Sequence, residues 1–173
     1  MEAVIEFGKI LIPAALVLYA AYLLVRSQIQ KELELKRIDV RGQSIATVLP
    51  IRLQAYERMT LFLERISPQN LLVRLNTAGM PAREFHQLLL QEIRNEFNHN
   101  VSQQVYMSHE VWEMIKNAKE DIIVTINEAA GEVAPDAQSI DLSKRIIEKF
   151  VNRPVDLTSH ALVELKKEIQ RSF

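Results

Sequence analysis

The sequence predicts an all-α protein: one N-terminal transmembrane helix continuing into a stalk, then a helical domain of about five helices. Three observations carry this expectation. Ile10 to Val25 holds no charged residue, and a helix from Val4 to Val25 would span roughly 33 Å at about 1.5 Å per residue, close to the roughly 30 Å hydrocarbon core of a bilayer. Beyond it, apolar residues recur at the three- and four-residue spacing of a helix face. Gly and Pro positions (Gly79, Pro81, Gly131, Pro135, Pro154) separate these periodic segments. The expected division is an anchor over 1–26, a juxtamembrane stalk over 27–48 and an all-α cytoplasmic domain over 49–173.

The anchor reading rests on what the alternatives require. A cleaved signal peptide has a basic leader and a small-residue cleavage site. Here the leader carries Glu2 and Glu6, and the run ends in the bulky Tyr22, Leu23, Leu24 and Val25. A core helix of a globular domain shows one apolar stripe, whereas this run is apolar all round. Glu6 and Lys9, three apart, can pair near one interface, and Lys9 can extend toward it. Tyr19 and Tyr22 fall near the other interface, where aromatic rings suit the headgroup level. Pro13 sits inside the span, as membrane helices tolerate. Ala14, Ala15, Ala20 and Ala21 are small enough to let another helix approach in lipid, which makes them, with Tyr19 and Tyr22, the candidate membrane and partner contacts. Arg26, Lys31, Lys36, Arg37 and Arg41 follow the span while only Lys9 precedes it. The positive-inside rule then places the N-terminus outside and the body in the cytoplasm.

Residues 26–40 read as a continuing helix, with Glu32 and Lys36 at supportive spacing and Gly42 as the first plausible interruption. From Ile45 a four-three seam runs through Leu49, Arg52, Tyr56, Met59, Leu63 and Ile66, apolar except for Arg52. It can face the domain's own core or a partner helix; three heptads are short for a coiled coil, which favours the core. Pro50 suits a first helical turn, so this helix is expected to begin near residue 49 or 50. Ser67-Pro68 reads as a cap followed by a new helix that ends around Gly79. Pro81 opens a helix with Phe85, Leu88, Leu89, Ile93 and Phe97 on one face. Residues 98–107 read as a loop or short turn. Ser108 caps a helix to about Ala130, whose buried side is Val111, Trp112, Ile115, Ala118, Ile122, Ile126 and Ala129, and Gly131 stops it. Pro135-Asp136 opens the next helix, with Ile140, Ile146, Ile147 and Phe150 as its apolar set. Asp156 or Thr158 caps the last, on which Leu157, Ala161, Leu162, Leu165, Ile169 and Phe173 align.

About 145 residues beyond the anchor suffice for one domain with its own core. With no Cys there is no disulfide framework, thiolate metal site or cysteine nucleophile. Mixed charge and a formal net charge of −1 show no basic footprint for nucleic acid, and no Gly-rich phosphate loop appears. The one spacing resembling a ligand motif is Glu96 with His99, three apart on a helix, with Glu92 one turn earlier. A carboxylate-bridged two-metal bundle needs such a motif twice, so Glu92, Glu96 and His99 stand as a metal candidate beside the plainer reading of a solvated face. His86, His109 and His160 stand singly, and no serine-hydrolase elbow is present. Trp112 falls on an apolar stripe and reads as core.

The segments Leu53-Gln-Ala-Tyr-Glu-Arg-Met-Thr-Leu-Phe-Leu-Glu-Arg-Ile66, Glu92-Ile-Arg-Asn-Glu-Phe-Asn-His-Asn-Val101 and Gln103-Gln-Val-Tyr106 resemble a family of uncharacterised bacterial proteins. Those proteins also carry one N-terminal span and a helical body. The resemblance covers most of the chain and implies a bacterial inner-membrane location; it brings no activity and no site residues. The expected function is that of a non-enzymatic, membrane-anchored accessory subunit, adaptor or scaffold in a larger inner-membrane complex, with no cofactor. Its expected partners are membrane lipid and other membrane-protein subunits, with a homo-oligomer possible and no nucleic acid. The alternatives are a metal-dependent helical-bundle enzyme using Glu92, Glu96 and His99, or a homo-oligomeric stalk paired through the Ile45 to Ile66 seam.

Overall fold

The computed structural model describes the backbone of residues 2–171 and the side chains of residues 16–36 and 46–171. Among the described residues the protein is all-α, with six α-helices, one 3-10 helix and no strand. The helices are α1 (Glu2–Ile66), α2 (Pro68–Leu75), α3 (Ala82–Asn100), the 3-10 helix (Val101–Tyr106), α4 (His109–Glu132), α5 (Ser139–Val151) and α6 (Leu157–Arg171). The chain divides into two compact units, Met1–Leu49 and Pro50–Phe173.

In the first unit every described side chain from Leu16 to Lys36 is exposed. Among the described residues no helix is long and apolar enough to cross a membrane. Of the expected span 4–25, the side chains up to residue 15 lie outside the described ones, including those of Ala14 and Ala15. Gly42 does not interrupt α1. Pro50, expected in a first turn, lies in the helix interior. A proline there removes one i→i−4 bond, and the run of helix formers after it (Leu53, Gln54, Ala55, Glu57, Arg58, Met59) sustains the helix.

The second unit is built on the seam. Tyr56, Met59, Leu63 and Ile66 are buried in its own core, so this part of the seam is occupied within the chain rather than left free for a partner helix. Phe85, Leu89 and Ile93 of α3 meet it, with the whole expected stripe of α4 buried. Trp112 is a core residue; its ring stacks on Phe97 at 5.6 Å between centroids, and Phe97 in turn meets Phe62 at 5.8 Å. Such ring pairs add about 0.5–1.5 kcal/mol beyond their area burial. Leu142 and Ile146 of α5 and Ala161 and Leu165 of α6 complete the core.

Three details depart from the sequence expectation. Residues 98–107 hold more helix than a loop or short turn: α3 runs on to Asn100 and the 3-10 helix follows. Helix α5 starts at Ser139 rather than at Pro135-Asp136, because Gln138 N–H donates to the Asp141 carboxylate at 3.2 Å and Asp141 N–H to the Gln138 carbonyl at 3.0 Å, which closes the first turn there. The face it buries is therefore Ser139, Leu142, Ser143 and Ile146, while Ile140 and Ile147 are exposed. Ser67 precedes α2 but makes no side-chain cap; its hydroxyl donates to the Glu64 carbonyl at 2.8 Å. Ser108 and Asp156 do cap, accepting from Val111 N–H (3.3 Å) and Thr158 N–H (2.9 Å). The starts of α3 and α5 are tied by Ala82 N–H to the Ala137 carbonyl (2.9 Å) and Ser139 N–H to the Met80 carbonyl (2.8 Å).

Candidate functional site

The most unusual surface is the described part of the apolar run. Leu16, Val17, Leu18 and Leu24 are 63–71% exposed, and Tyr19, Ala20, Ala21, Tyr22, Leu23 and Val25 are exposed beside them. Successive helical residues point about 100° apart, so ten consecutive exposed residues cover every side of the cylinder. A helix apolar all round is one that something else surrounds. Burying Leu16, Val17, Leu18, Leu23, Leu24 and Val25 at roughly 1.5–3 kcal/mol each brings a driving force on the order of 10 kcal/mol. Of the candidate contacts, the structure thus places Ala20, Ala21, Tyr19 and Tyr22 on this exposed surface. After Val25 the helix turns polar, with Arg26, Lys31, Glu32, Glu34 and Lys36 exposed around Ile29, Leu33 and Leu35.

In the second unit the polar side chains converge on two clusters. At one, Glu168 of α6 accepts from Tyr56 OH at 2.6 Å, Ser108 N–H at 2.8 Å and Ser108 Oγ at 2.5 Å. Arg52 donates from Nη2 to Tyr56 OH at 2.8 Å and from Nε to the Tyr106 carbonyl at 3.2 Å. Burial pulls the Glu168 carboxyl upward, but the hydrogen bonds from Ser108 and Tyr56, with the Arg52 charge, outweigh it and hold the pKa below the ordinary value. Burial, and then the bond to Glu168, push the Tyr56 phenol above its ordinary value. A carboxylate so fully engaged ties α1, α4 and α6 together. Sequence reasoning singled out Tyr56 and Arg52 but missed Glu168. The signal was present: Glu168 lies three residues after Leu165 and seven after Ala161, on the buried stripe, opposite the one charged seam residue.

The second cluster contains two of the three residues of the metal candidate, Glu92 and Glu96. Glu96 pairs with Arg65 at 2.5 Å, and Glu92 pairs with Arg74 and, at 3.9 Å, with Arg65. Two arginines thus occupy the two carboxylates, and His99 is exposed and outside these pairs. No group of three or more His, Asp and Glu side chains among the described residues comes together as a metal site. His86 shares a 2.8 Å hydrogen bond with Asn127.

A family model described as "Family of unknown function (DUF7935)" matches residues 2–172. No curated protein matches the chain. No solved structure matches it either.

Proposed function

The chain belongs to DUF7935, a family of unknown function, and we propose that it is a single-span, membrane-anchored helical protein acting as a non-enzymatic accessory subunit, adaptor or scaffold of a larger bacterial inner-membrane complex. One observation carries the anchor: the side chains from Leu16 to Val25 are apolar and exposed on all sides of their helix. Lipid is the surrounding that an apolar cylinder fits without a matching partner face. The uncharged sequence extends back to Ile10, which supplies the remaining length. Arg26, Lys31 and Lys36 on the far side orient the body toward the cytoplasm. The adaptor role is the reading that suits a compact helical domain with mixed surface charge held at that membrane.

Two measurements test this. Carbonate extraction of native membranes leaves an anchored chain in the pellet; a chain released by carbonate or high salt overturns the anchor. A mild-detergent pull-down of the tagged full chain, repeated at high salt, recovers a stoichiometric partner if the protein is a subunit. Recovery of the chain alone counts against the adaptor role. Replacing Ile10–Val25 by poly-Leu then separates the two contributions, since binding through the small residues Ala20 and Ala21 is lost while insertion remains.

A further inference from the structure

Within the Pro50–Phe173 unit, the N-terminus of α2, the end of α5 and the N-terminus of α6 border an open groove of about 430 Å³, a size typical of ligand clefts. Ile147, Phe150 and Leu162 form its apolar wall. Three further features belong to the same groove. Thr158 lines it, is only 4% exposed, and its Oγ1 is a buried oxygen with no hydrogen-bond partner among the described residues. A buried polar group without a partner destabilises a fold, and a partner group arriving at this hydroxyl would remove that cost.

The second feature is the uncapped start of α2. Ser67 Oγ and Asn70 Nδ2 both donate to the Glu64 carbonyl, at 2.8 and 2.9 Å, and no side chain caps the helix. Pro68 has no N–H to offer, so the first backbone donors of α2 belong to Gln69 and Asn70, which line the groove. The third is charge. Glu64 and Asp156 are the charged residues lining the groove, with no Lys, Arg or His among the rest. Asp156 is committed to capping α6, accepting from Thr158 N–H, Ser159 N–H and Ser159 Oγ. The Glu64 carboxylate has no ion-pair partner among the described residues.

We propose that this groove binds a short extended peptide segment of a partner protein, one that carries an aliphatic side chain followed by Lys or Arg. The aliphatic side chain packs on Ile147, Phe150 and Leu162. Peptide carbonyls accept from the first N–H groups of α2 and, once the rim side chains move aside from the enclosed hydroxyl, from Thr158 Oγ1. The cationic side chain reaches Glu64. An anion is disfavoured in spite of the two helix N-termini, because both charged groups on the groove are carboxylates. The proposal deepens the adaptor reading and rests on it for the partner's presence at the membrane, whereas binding in the groove is measurable by itself.

The test uses the full chain in lipid nanodiscs, or in buffer if it fractionates away from membranes, with Ile, Leu, Val and Thr methyl groups labelled for NMR. The probes are acetyl-Leu-Leu-Lys-amide, acetyl-Leu-Leu-Glu-amide and inorganic phosphate. The Lys peptide is expected to shift the Ile147, Leu162 and Thr158 methyls saturably in the millimolar range, as befits a few contact groups, and to leave Val105 unmoved. Glu64→Gln is expected to weaken it about threefold, the scale of an exposed ion pair. Thr158→Val is expected to raise Tm by about 3 °C by removing an unpartnered hydroxyl, yet to weaken the peptide by about three- to tenfold. No saturable shift up to roughly ten times the millimolar range means that water alone fills the groove and overturns the proposal. Equal binding of the Lys and Glu peptides, saturation by phosphate, or unchanged affinity in both variants overturns it as well. Carbonate extraction reports the anchor separately, so loss of one reading leaves the other standing.

Discussion

At the scale of single residues, Glu168 makes the clearest prediction. Its carboxylate receives hydrogen bonds from Tyr56 OH and from the N–H and Oγ of Ser108, and its pKa is held below the ordinary carboxylate value, which is about 4.3. A carboxyl whose pKa is lower folded than unfolded stabilises the fold wherever it is ionised. That contribution is complete above the unfolded value of about pH 4.3 and is lost as pH falls through the lower folded value. Glu168→Gln keeps the shape and removes the charge. It is expected to lower stability at pH 7 by about 1–2 kcal/mol, with a smaller difference from the parent near pH 3. Trp112, the single tryptophan, is buried against Phe97 and reports this unit by fluorescence in urea. A difference that grows in acid would refute the assignment. Gly79 predicts an effect of another kind. It has φ of 80° in the turn closed by Met80 N–H to the Thr77 carbonyl (3.2 Å), and a Cβ there meets nothing within 4 Å. Gly79→Ala therefore costs only conformational strain, about 1 kcal/mol, and Gly79→Asn, which tolerates this region better, costs less in the same unfolding measurement.

At the scale of elements, α5 shows what spacing can and cannot reveal. The stripes of α3 and α4 are legible in the sequence because their apolar residues are large and their starts, after Pro81 and at Ser108, are unambiguous. For α5 the Pro135-Asp136 signal suggests an earlier start, and the apolar set it suggests is buried only in part: Ile146 lies in the core and Phe150 packs against it, while Ile140 and Ile147 are exposed. The Asp141 carboxylate, accepting from Gln138 N–H, sets the start at Ser139 and turns the buried face to Leu142 and Ile146. Two small polar residues, Ser139 and Ser143, lie on that face: Ser143 Oγ donates to the Ser139 carbonyl at 2.8 Å, so they pack without an unmet donor. Residues 101–106 were unreadable for a similar reason, since a 3-10 helix has neither the 3.6-residue nor the two-residue period. The buried face is checked directly. Ile146→Ala, at 0% exposure, is expected to cost about 2–4 kcal/mol. Ile140→Ala, at 46% exposure, is expected to stay within about 1 kcal/mol. Equal costs in denaturant titrations would mean that α5 presents the other face.

At the scale of the whole molecule, the proposed contact surface was legible as composition before any fold was known, since ten consecutive residues without a charge need no tertiary context to be noticed. The groove was not legible, because Glu64, Ile147, Thr158 and Leu162 converge only when the helices fold against one another. Composition also carries the proposed direction. The proposed span is followed by Arg26, Lys31, Lys36, Arg37 and Arg41 and preceded by Lys9 alone, and a Lys/Arg excess is retained on the cytoplasmic side. The absence of cysteine makes this prediction clean to measure. A single cysteine at Val151, which is 75% exposed on the second unit, should resist a membrane-impermeant maleimide in intact cells and react after lysis. A cysteine at Ala3, before the span, should react in intact cells when the label can cross the outer envelope. Reversing the charge asymmetry should then reverse the pattern: Lys31, Lys36 and Arg37 changed to Gln, with three lysines added before Ile10, is expected to move Val151→Cys toward external labelling. Labelling that stays internal in this variant would mean that the folded domain, rather than the flanking charge, sets the orientation, because domains resist translocation once folded. Labelling of both cysteines only after lysis in the parent would mean that the apolar run does not span at all, and that its exposed surface is covered by protein.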